Sequence, residues 1–585
     1  MRKLRVIYIF ILLFTASLAF SANDSSKTKY WIVFADKNGI KEGDNISYNS
    51  AAYKSGLELL TERSVNRRLK TFTKENLIEF GDLPLSEEYV QKISSTGIEI
   101  IARSRWFNGV SAYLTPFQLD KIKKLDYVTR IFAVKKLYKQ RLDNTSPVFL
   151  KSYFESLLTD SSNVYDYGKS YNQMMLVNVP PVHNLGITGK GVLVASFDDG
   201  FEWRTHESLK GLNVLEEFDF INGDKNTSRE KDQKYPDTQS QGGHGTSTLS
   251  CLGGFKEGNL IGPAFNSDFI LAKTEYVATE TPMEEDFWLE AAEWAESYGA
   301  DVITSSLVYK GFDKPYDENS YTYNDFDGKT SITSIAGDKA AHYGIVVCNA
   351  TGNYYQTEPP SLGSASDGDS VIGVGAVDKK GVITSFSSNG PTSDGRIKPD
   401  VVAPGLSVCV ARMGEGNHYD FSNGTSFATP ITAGVCALIL SAHPELTAMQ
   451  VREALRNTAN NSATPNNVYG WGLINAFKAI LYYGEVWNLE NAVTVKDNNT
   501  TVRIGFASAD FTSASSVKFN YRTPKSKKFK STAMTFTKQF ENDNFSGIYE
   551  CVMNNKGGSN INLEEVEYYF SVNINGKEIK SKSNK

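Results

Sequence analysis

The sequence predicts an α/β fold, a doubly wound parallel sheet, with a small α+β unit before it and a small all-β unit after it. Three observations predict this. In the middle of the chain, short apolar runs alternate with stretches of helical period, which means β–α units and a parallel sheet covered on both faces. Ahead of them, strand and helix patterns mix within about a hundred residues. After Gly484 helix patterns stop, and short alternating runs separated by polar turns take over.

The chain opens Met1-Arg2-Lys3-Leu4-Arg5 and runs apolar from Val6 to Phe20, with Ala19-Phe20-Ser21 as a small-residue cleavage point. A basic start, a short apolar stretch and an A-x-S end describe a secretory signal peptide over 1–21. The alternative, an uncleaved anchor, has a short apolar run for a membrane span. No cysteine lies near the cleavage point to take a lipid, and no later run is long enough to span.

Residues 29–134 form the first unit. Strands are expected at Tyr30–Ala35, Ile98–Ile101, Phe107–Leu114 and Val128–Val134, and helices at Leu57–Lys70, Tyr89–Ser95 and Pro116–Leu125. The polar stretch 135–166 is a linker and a site for proteolytic processing.

The central unit covers 167–483. Strands are expected at Val192–Phe197, Phe269–Ala272, Val302–Ser305, Ile345–Cys348, Val371–Val377 and Val401–Ala403. Helices are expected at Phe287–Tyr298, stopped by Gly299, and at Thr330–Tyr343, stopped by Gly344. Another runs over Thr447–Thr458, started by a Thr447-x-x-Gln450 capping box. Ligand sites in such sheets lie at the carboxyl ends of the strands. The third unit, 484–585, reads as a β-sandwich, with strands such as Thr501–Phe506 and Val566–Val572 and a basic tail from Lys577.

Composition narrows the function. The formal net charge is −6, with 61 basic against 67 acidic residues, and there is no basic block, so nucleic acid is not an expected partner. Five cysteines, an odd number, leave at least one unpaired within the chain. Cys348, Cys409 and Cys436 read as core filler. There is no Cys-x-x-Cys pair and no zinc spacing. His206-Glu207 begins like a zinc-protease motif, but Lys210 stands where the second histidine belongs. No metal or other cofactor is called for.

The chemistry points to Asn423-Gly424-Thr425-Ser426-Phe427-Ala428-Thr429-Pro430, followed by the apolar helix pattern Ile431–Leu440. Small residues around one serine at a helix entry put unpaired backbone N–H groups beside it, suited to an oxyanion. Pro430 is expected in the first turn, where its missing N–H matters little. Read alone, Ser426 could be an ordinary N-cap. Two further stretches complete a set. Val194-Ala195-Ser196-Phe197 is a buried strand ending in Asp198-Asp199-Gly200, and Gly242-Gly243-His244-Gly245-Thr246 brackets a histidine with glycines. A serine needs a base to take its proton, imidazole titrates near neutrality, and a buried acid fixes its tautomer. The order Asp, His, Ser separates this set from the other familiar arrangements of the triad.

On these residues the chain resembles the subtilisin-like serine proteases, the subtilases. Val194–Gly200 resembles the family's aspartate motif, His244-Gly245-Thr246 its histidine motif, and Gly424–Pro430 its serine motif. Val346–Asn353 is similar to the strand carrying the family's oxyanion asparagine, which falls on Asn353. The resemblance covers about 167–483. It implies a subtilisin-type sheet, catalytic roles for Asp198, His244, Ser426 and Asn353, and substrate contacts at Ser306, Leu307 and Gly352. By position and element pattern the first unit resembles a subtilase propeptide, which inhibits the enzyme until removed.

The chain departs from the family in places. Asp199 stands where Ser or Thr is usual, and is expected to point to solvent or to a donor. Val308-Tyr309 replaces Gly-Gly after Ser306-Leu307 and is expected to add bulk to the pocket rim. Gly253–Pro263 is short where many relatives have a calcium loop, so no calcium is carried over. The expected function is therefore a secreted, periplasmic or surface serine endopeptidase made as a self-processing zymogen. Its partners would be polypeptide substrates and its own propeptide, with no stable membrane insertion. The alternative is a non-catalytic binding protein on the same scaffold.

Overall fold

The structure is a computed structural model that describes residues 27–133, 163–314, 321–488 and, with interruptions, 493–583. The leader at 1–21 and nearly all of the 135–166 linker lie outside the described residues.

The N-terminal part runs β1 (Thr28–Phe34), α1 (Ala51–Leu57), α2 (Glu62–Arg68), α3 (Glu87–Ser95), β2 (Ile100–Ser104), β3 (Gly109–Leu114), α4 (Pro116–Ile122) and β4 (Val128–Ala133). Its antiparallel sheet has the order β2-β3-β1-β4. Alternation sends Ile32 and Phe34 of β1 into a core with Val90, Ile93, Val110 and Ile122. Trp31 points the other way and joins the core of the central domain. The sequence suggests one helix over Leu57–Lys70, but the chain breaks there. Thr61 is extended (φ −71°, ψ 160°), and its side chain accepts from Ser64 N to start α2 anew.

The central part contains β5 (Leu193–Asp198), β6 (Asn213–Asp219), α5 (Gly243–Gly253), β7 (Asp268–Lys273), α6 (Met283–Tyr298), β8 (Val302–Ser305), α7 (Ile332–His342), β9 (Val346–Ala350), β10 (Ile372–Val377), β11 (Val401–Pro404), α8 (Thr425–Ala442) and α9 (Ala448–Thr458). Seven parallel strands lie in the order β11-β10-β9-β8-β5-β7-β6. The doubly wound sheet expected from the alternation is present. Val194, Val302 and Val346 face one apolar core with α8; Ala195, Ile303 and Val347 face a second with α6 and α7. The sequence reading missed β6. It is an edge strand with one face packed, and its Glu216-Glu217 pair breaks the apolar run that marks the inner strands.

α8 is the one helix among the described residues long and apolar enough to cross a membrane, and 89% of it is buried inside the protein. It therefore serves as the central core helix. After Gly484, two antiparallel sheets share one core. Val502, Ile504 and Phe506 come from one sheet and Phe519, Phe570 and Val572 from the other, which is sandwich packing.

Candidate active site

Asp198 is the last residue of β5 and is 1% exposed. Its Oδ1 lies 2.6 Å from His244 Nδ1 and accepts from Asp199 N at 2.9 Å, while Oδ2 accepts from Thr248 Oγ1 at 2.9 Å. Thr248 is four residues beyond His244 on α5, so the helical repeat puts both on the aspartate. Sequence reasoning passed over Thr248, although that i,i+4 spacing was legible.

His244 stands in the first turn of α5. The virtual Cβ of Gly245 would come within 2.2 Å of Gly200 O and 2.9 Å of Asp198 Cβ, so only glycine lets this helix approach β5 closely enough for the pair. Burial disfavours the imidazolium, but the Asp198 charge and hydrogen bond, with Asp199 behind them, outweigh it and raise the His244 pKa. Asp199 turns to donors and away from solvent. It is 3% exposed, accepts from Gly245 N at 2.7 Å and His244 N at 3.3 Å, and so caps α5. Burial first, then the charge of Asp198, raise its pKa to about 7.

Ser426 is the second residue of α8, and the ring of the next residue, Phe427, lies 5.9 Å from the imidazole. The serine hydroxyl donates to Ser306 O at 3.3 Å; among the described residues it has no hydrogen bond to His244. Pro430 departs from expectation. It is the sixth residue of α8, inside the helix and beyond the first turn. A proline there cannot donate to the carbonyl four residues back, which is that of Ser426. Ser306 Oγ donates to this carbonyl instead, at 2.7 Å.

Asn353 follows β9, at the carboxyl edge of the sheet. Its Oδ1 accepts from Thr425 N at 2.9 Å and from Thr425 Oγ1 at 3.1 Å, which turns Nδ2 toward Gly424. A Cβ built on Gly424 would lie 3.5 Å from Asn353 Nδ2 and 3.6 Å from Ser426 N. Two N–H donors thus border one small space, kept open by a glycine with φ +149°. Thr425, quoted above only as part of the serine motif, is the residue that orients Asn353. Gly352 (φ +110°) makes the turn into Asn353, and its carbonyl accepts from Ser388 N at 3.0 Å.

The remaining residues proposed to contact substrate lie deeper. Leu307 is 3% exposed and packs in the core, its carbonyl accepting from Asn349 Nδ2 at 3.0 Å. Tyr309 is 1% exposed and packs in the same core, so it adds no bulk to a pocket rim. For Tyr309 the expectation fails because the chain after the half-buried Val308 turns inward to bridge Ser364. The five cysteines are all buried and free; Cys348 and Cys436 Sγ lie 3.8 Å apart, without a bond.

Comparison with known proteins completes this picture. The profile of the subtilase family matches residues 189–472, and that of the peptidase S8 propeptide domain of Bacteroidota matches 29–147. The chain is 34% identical over 301 residues to a subtilisin of Bacillus pumilus, covering 51% of this chain and 94% of that protein. The chain belongs to the subtilase family. It is also 31% identical over 319 residues to the serine protease AprX of Bacillus subtilis (strain 168), covering 50% and 67% of the two chains. Subtilisin E of the same strain is 33% identical over 301 residues, covering 51% of this chain and 68% of that one. This subtilase is a serine endopeptidase, a hydrolase with an N-terminal propeptide domain.

Proposed function

We propose that this subtilase is exported by its leader 1–21 and hydrolyses polypeptides through Asp198, His244 and Ser426, with Asn353 in the oxyanion hole. The observation that carries the reading is the paired geometry at the carboxyl edge of the sheet. A 2.6 Å Asp198–His244 bond lies next to the ring of Phe427, the residue after Ser426, while Asn353 Nδ2 and Ser426 N border one space. In this reading the serine hydroxyl rotates about χ1 from the Ser306 carbonyl toward the imidazole, a change between staggered wells. His244 takes its proton as Ser426 attacks the peptide carbonyl, then gives it to the leaving amine. Asp198, held by Thr248, keeps the imidazole in one tautomer and balances its charge. The two N–H groups receive the oxyanion as charge develops.

The N-terminal domain inhibits this site until the linker within 135–166 is cut by the same serine. The domains 29–134, 167–483 and 484–585 act as propeptide, catalytic unit and accessory β-sandwich. A fluorophosphonate probe tests the mechanism. Processed wild-type enzyme should be labelled on Ser426, and the His244→Ala enzyme should not. A folded chain that takes no label once an added protease has cut the linker and the N-terminal domain has been removed would instead be a binding protein on this scaffold. Ser426→Ala chain purified in isolation should keep its length after leader removal, while wild type yields two fragments.

A further inference from the structure

Two of the contacts between the N-terminal domain and the catalytic domain lie at different positions along α6. One is the face of its sheet that carries Trp31, reached from the interior strand β1 and from the end of β2. Asp286, Glu290 and Glu293, spaced i, i+4 and i+7 on one face of α6, take Trp31 Nε1 at 3.0 Å, Arg103 N at 2.8 Å and Arg105 N at 3.0 Å. The other is α2, which lies across the carboxyl ends of α6 and α7. Both helices stop at glycines in the left-handed region, Gly299 (φ +87°) and Gly344 (φ +96°). α2 uses the room they leave: a Cβ on Gly299 would fall 2.6 Å from Ser64 N.

Into this gap go two arginines. Arg67 donates to Ala300 O at 2.6 Å, to Tyr343 O at 3.1 Å and to Glu296 Oε1 at 2.7 Å. It thus satisfies carbonyls just past the ends of both helices, where the negative ends of their dipoles point. Arg68 binds Glu296 Oε1 and Asp82 and stacks 3.8 Å over the Tyr343 ring. Arg67, Arg68, Glu296 and Asp82 are all buried. Arg63 reaches further, to Gly191 O and Asp301 Oδ2, both at 2.7 Å. Gly191 and Asp301 precede β5 and β8, at the amino edge of the sheet. Asp198 stands at the other end of β5, about 16 Å along the strand at the usual rise. α2 therefore grips the enzyme on the side away from the active site.

We infer that the carboxyl ends of α6 and α7, centred on Glu296, form a second binding surface for the propeptide domain, occupied by the arginines of α2. This surface retains the domain after the linker is cut. An arginine fork fixes direction as well as charge, and the three nitrogens of the Arg67 guanidinium each meet an acceptor at the place where two helices end together. The surface thus fits this helix in one register. It makes the inhibitor bidentate, and removal from the active site alone does not release it. The inference deepens the inhibitor reading above, but its test needs no catalysis.

Full-length Ser426→Ala chain carrying a recognition sequence for a site-specific protease between 140 and 160 is cut, then run on size-exclusion chromatography at neutral pH. The fragments should co-elute. Those of the Arg67→Ala/Arg68→Ala chain should separate, with affinity weakened about 100-fold or more, as expected when a buried charge partner is truncated. Near-UV circular dichroism before cutting shows whether that variant folds. If it does not, Gly299→Ala, which drives a Cβ into α2 from the catalytic side, is read in the same way. Separation of the unsubstituted fragments, or a folded variant that holds its fragments as tightly as the unsubstituted chain, would overturn the second surface.

Discussion

Ser306 Oγ donates to the carbonyl of Ser426 at 2.7 Å, the acceptor that Pro430 leaves without its helical partner. The exchange is reciprocal, since Ser426 Oγ donates to Ser306 O at 3.3 Å. A defect in α8 is thereby turned into a tie between the turn that carries Ser426 and the end of β8. The tie holds the backbone whose N–H borders the space beside Asn353 Nδ2.

Ser306→Ala should therefore leave a buried carbonyl unpaired and destabilise the protein by about 1–3 kcal/mol. Turnover should fall, with KM little changed, because the lost group positions Ser426, the nucleophile of the proposed mechanism. Adding Pro430→Ala restores an N–H four residues after the carbonyl, and should recover stability in the Ser306→Ala background. Urea midpoints and steady-state kinetics of the three variants check this. A raised KM at unchanged kcat would make Ser306 a substrate contact instead.

Asn353→Ala should lower kcat by about 10²–10³-fold and leave KM nearly as it was, since in the proposed mechanism its Nδ2 serves charge that exists only in the transition state. Gly424→Ala should act in the same direction with Asn353 intact. The added Cβ occupies the space 3.5 Å from Nδ2 and 3.6 Å from Ser426 N, on a backbone with φ +149° that a side chain strains. Stopped assays on a chromogenic peptide measure both, and an Asn353→Ala enzyme with near-normal kcat would remove Asn353 from the oxyanion hole.

The parallel sheet was legible because its inner strands are buried on both faces and read as unbroken apolar runs; Val302–Ser305 agrees at both ends. The edge strand Asn213–Asp219 was not, because a half-exposed strand carries charge. Asp198, His244, Ser426 and Asn353 stood out by their glycines, which mark where backbones must approach closely. What escaped the reading depends on contacts between distant segments. Thr425 orients Asn353 across 72 positions in the chain, and Ser306 replaces a bond that Pro430 removes. The break before α2 escaped as well, since a continuous helix pattern hides a cap such as Thr61.

Asp400 should be a sensitive carboxylate outside the site. It is fully buried, and Lys398 Nζ reaches it at 2.8 Å, Arg452 Nε at 2.9 Å and Arg456 through a short contact, while Gly373 N donates to it at 2.8 Å. Burial opposes its charge, but the three cations outweigh burial and hold its pKa below the usual carboxylate range. Asp400→Asn leaves those cations uncompensated and should destabilise the protein by about 3–5 kcal/mol. The native contribution is present above the unfolded aspartate value and is lost as pH falls through the depressed folded value. Denaturant titration at pH 7 measures the loss; a change within experimental error would show that the cations find other partners.

Asp199 works in the opposite direction. Burial, then the neighbouring Asp198, raise its pKa to about 7, against N–H donors from Gly245 and His244 that favour its charge. An unfolded aspartate titrates near 3.9, so between about pH 4 and 7 the folded chain binds more protons than the unfolded one. Stability then falls as pH rises through that window. Asp199→Asn keeps an oxygen to cap α5 but carries no charge, so this part of the pH dependence should disappear, leaving the variant relatively more stable above pH 7. Its effect on catalysis follows from the same charge. Asp198, Asp199 and Glu275 are the anions that raise the His244 pKa, so neutralising Asp199 should lower it. The acid limb of kcat/KM should move to lower pH in the Asp199→Asn enzyme, while wild type keeps a limb above the ordinary imidazole value of about 6.5. Thermal unfolding from pH 4 to 8 and pH–rate profiles of the processed enzymes give the two readouts. Superimposable acid limbs would mean that Asp199 only caps the helix.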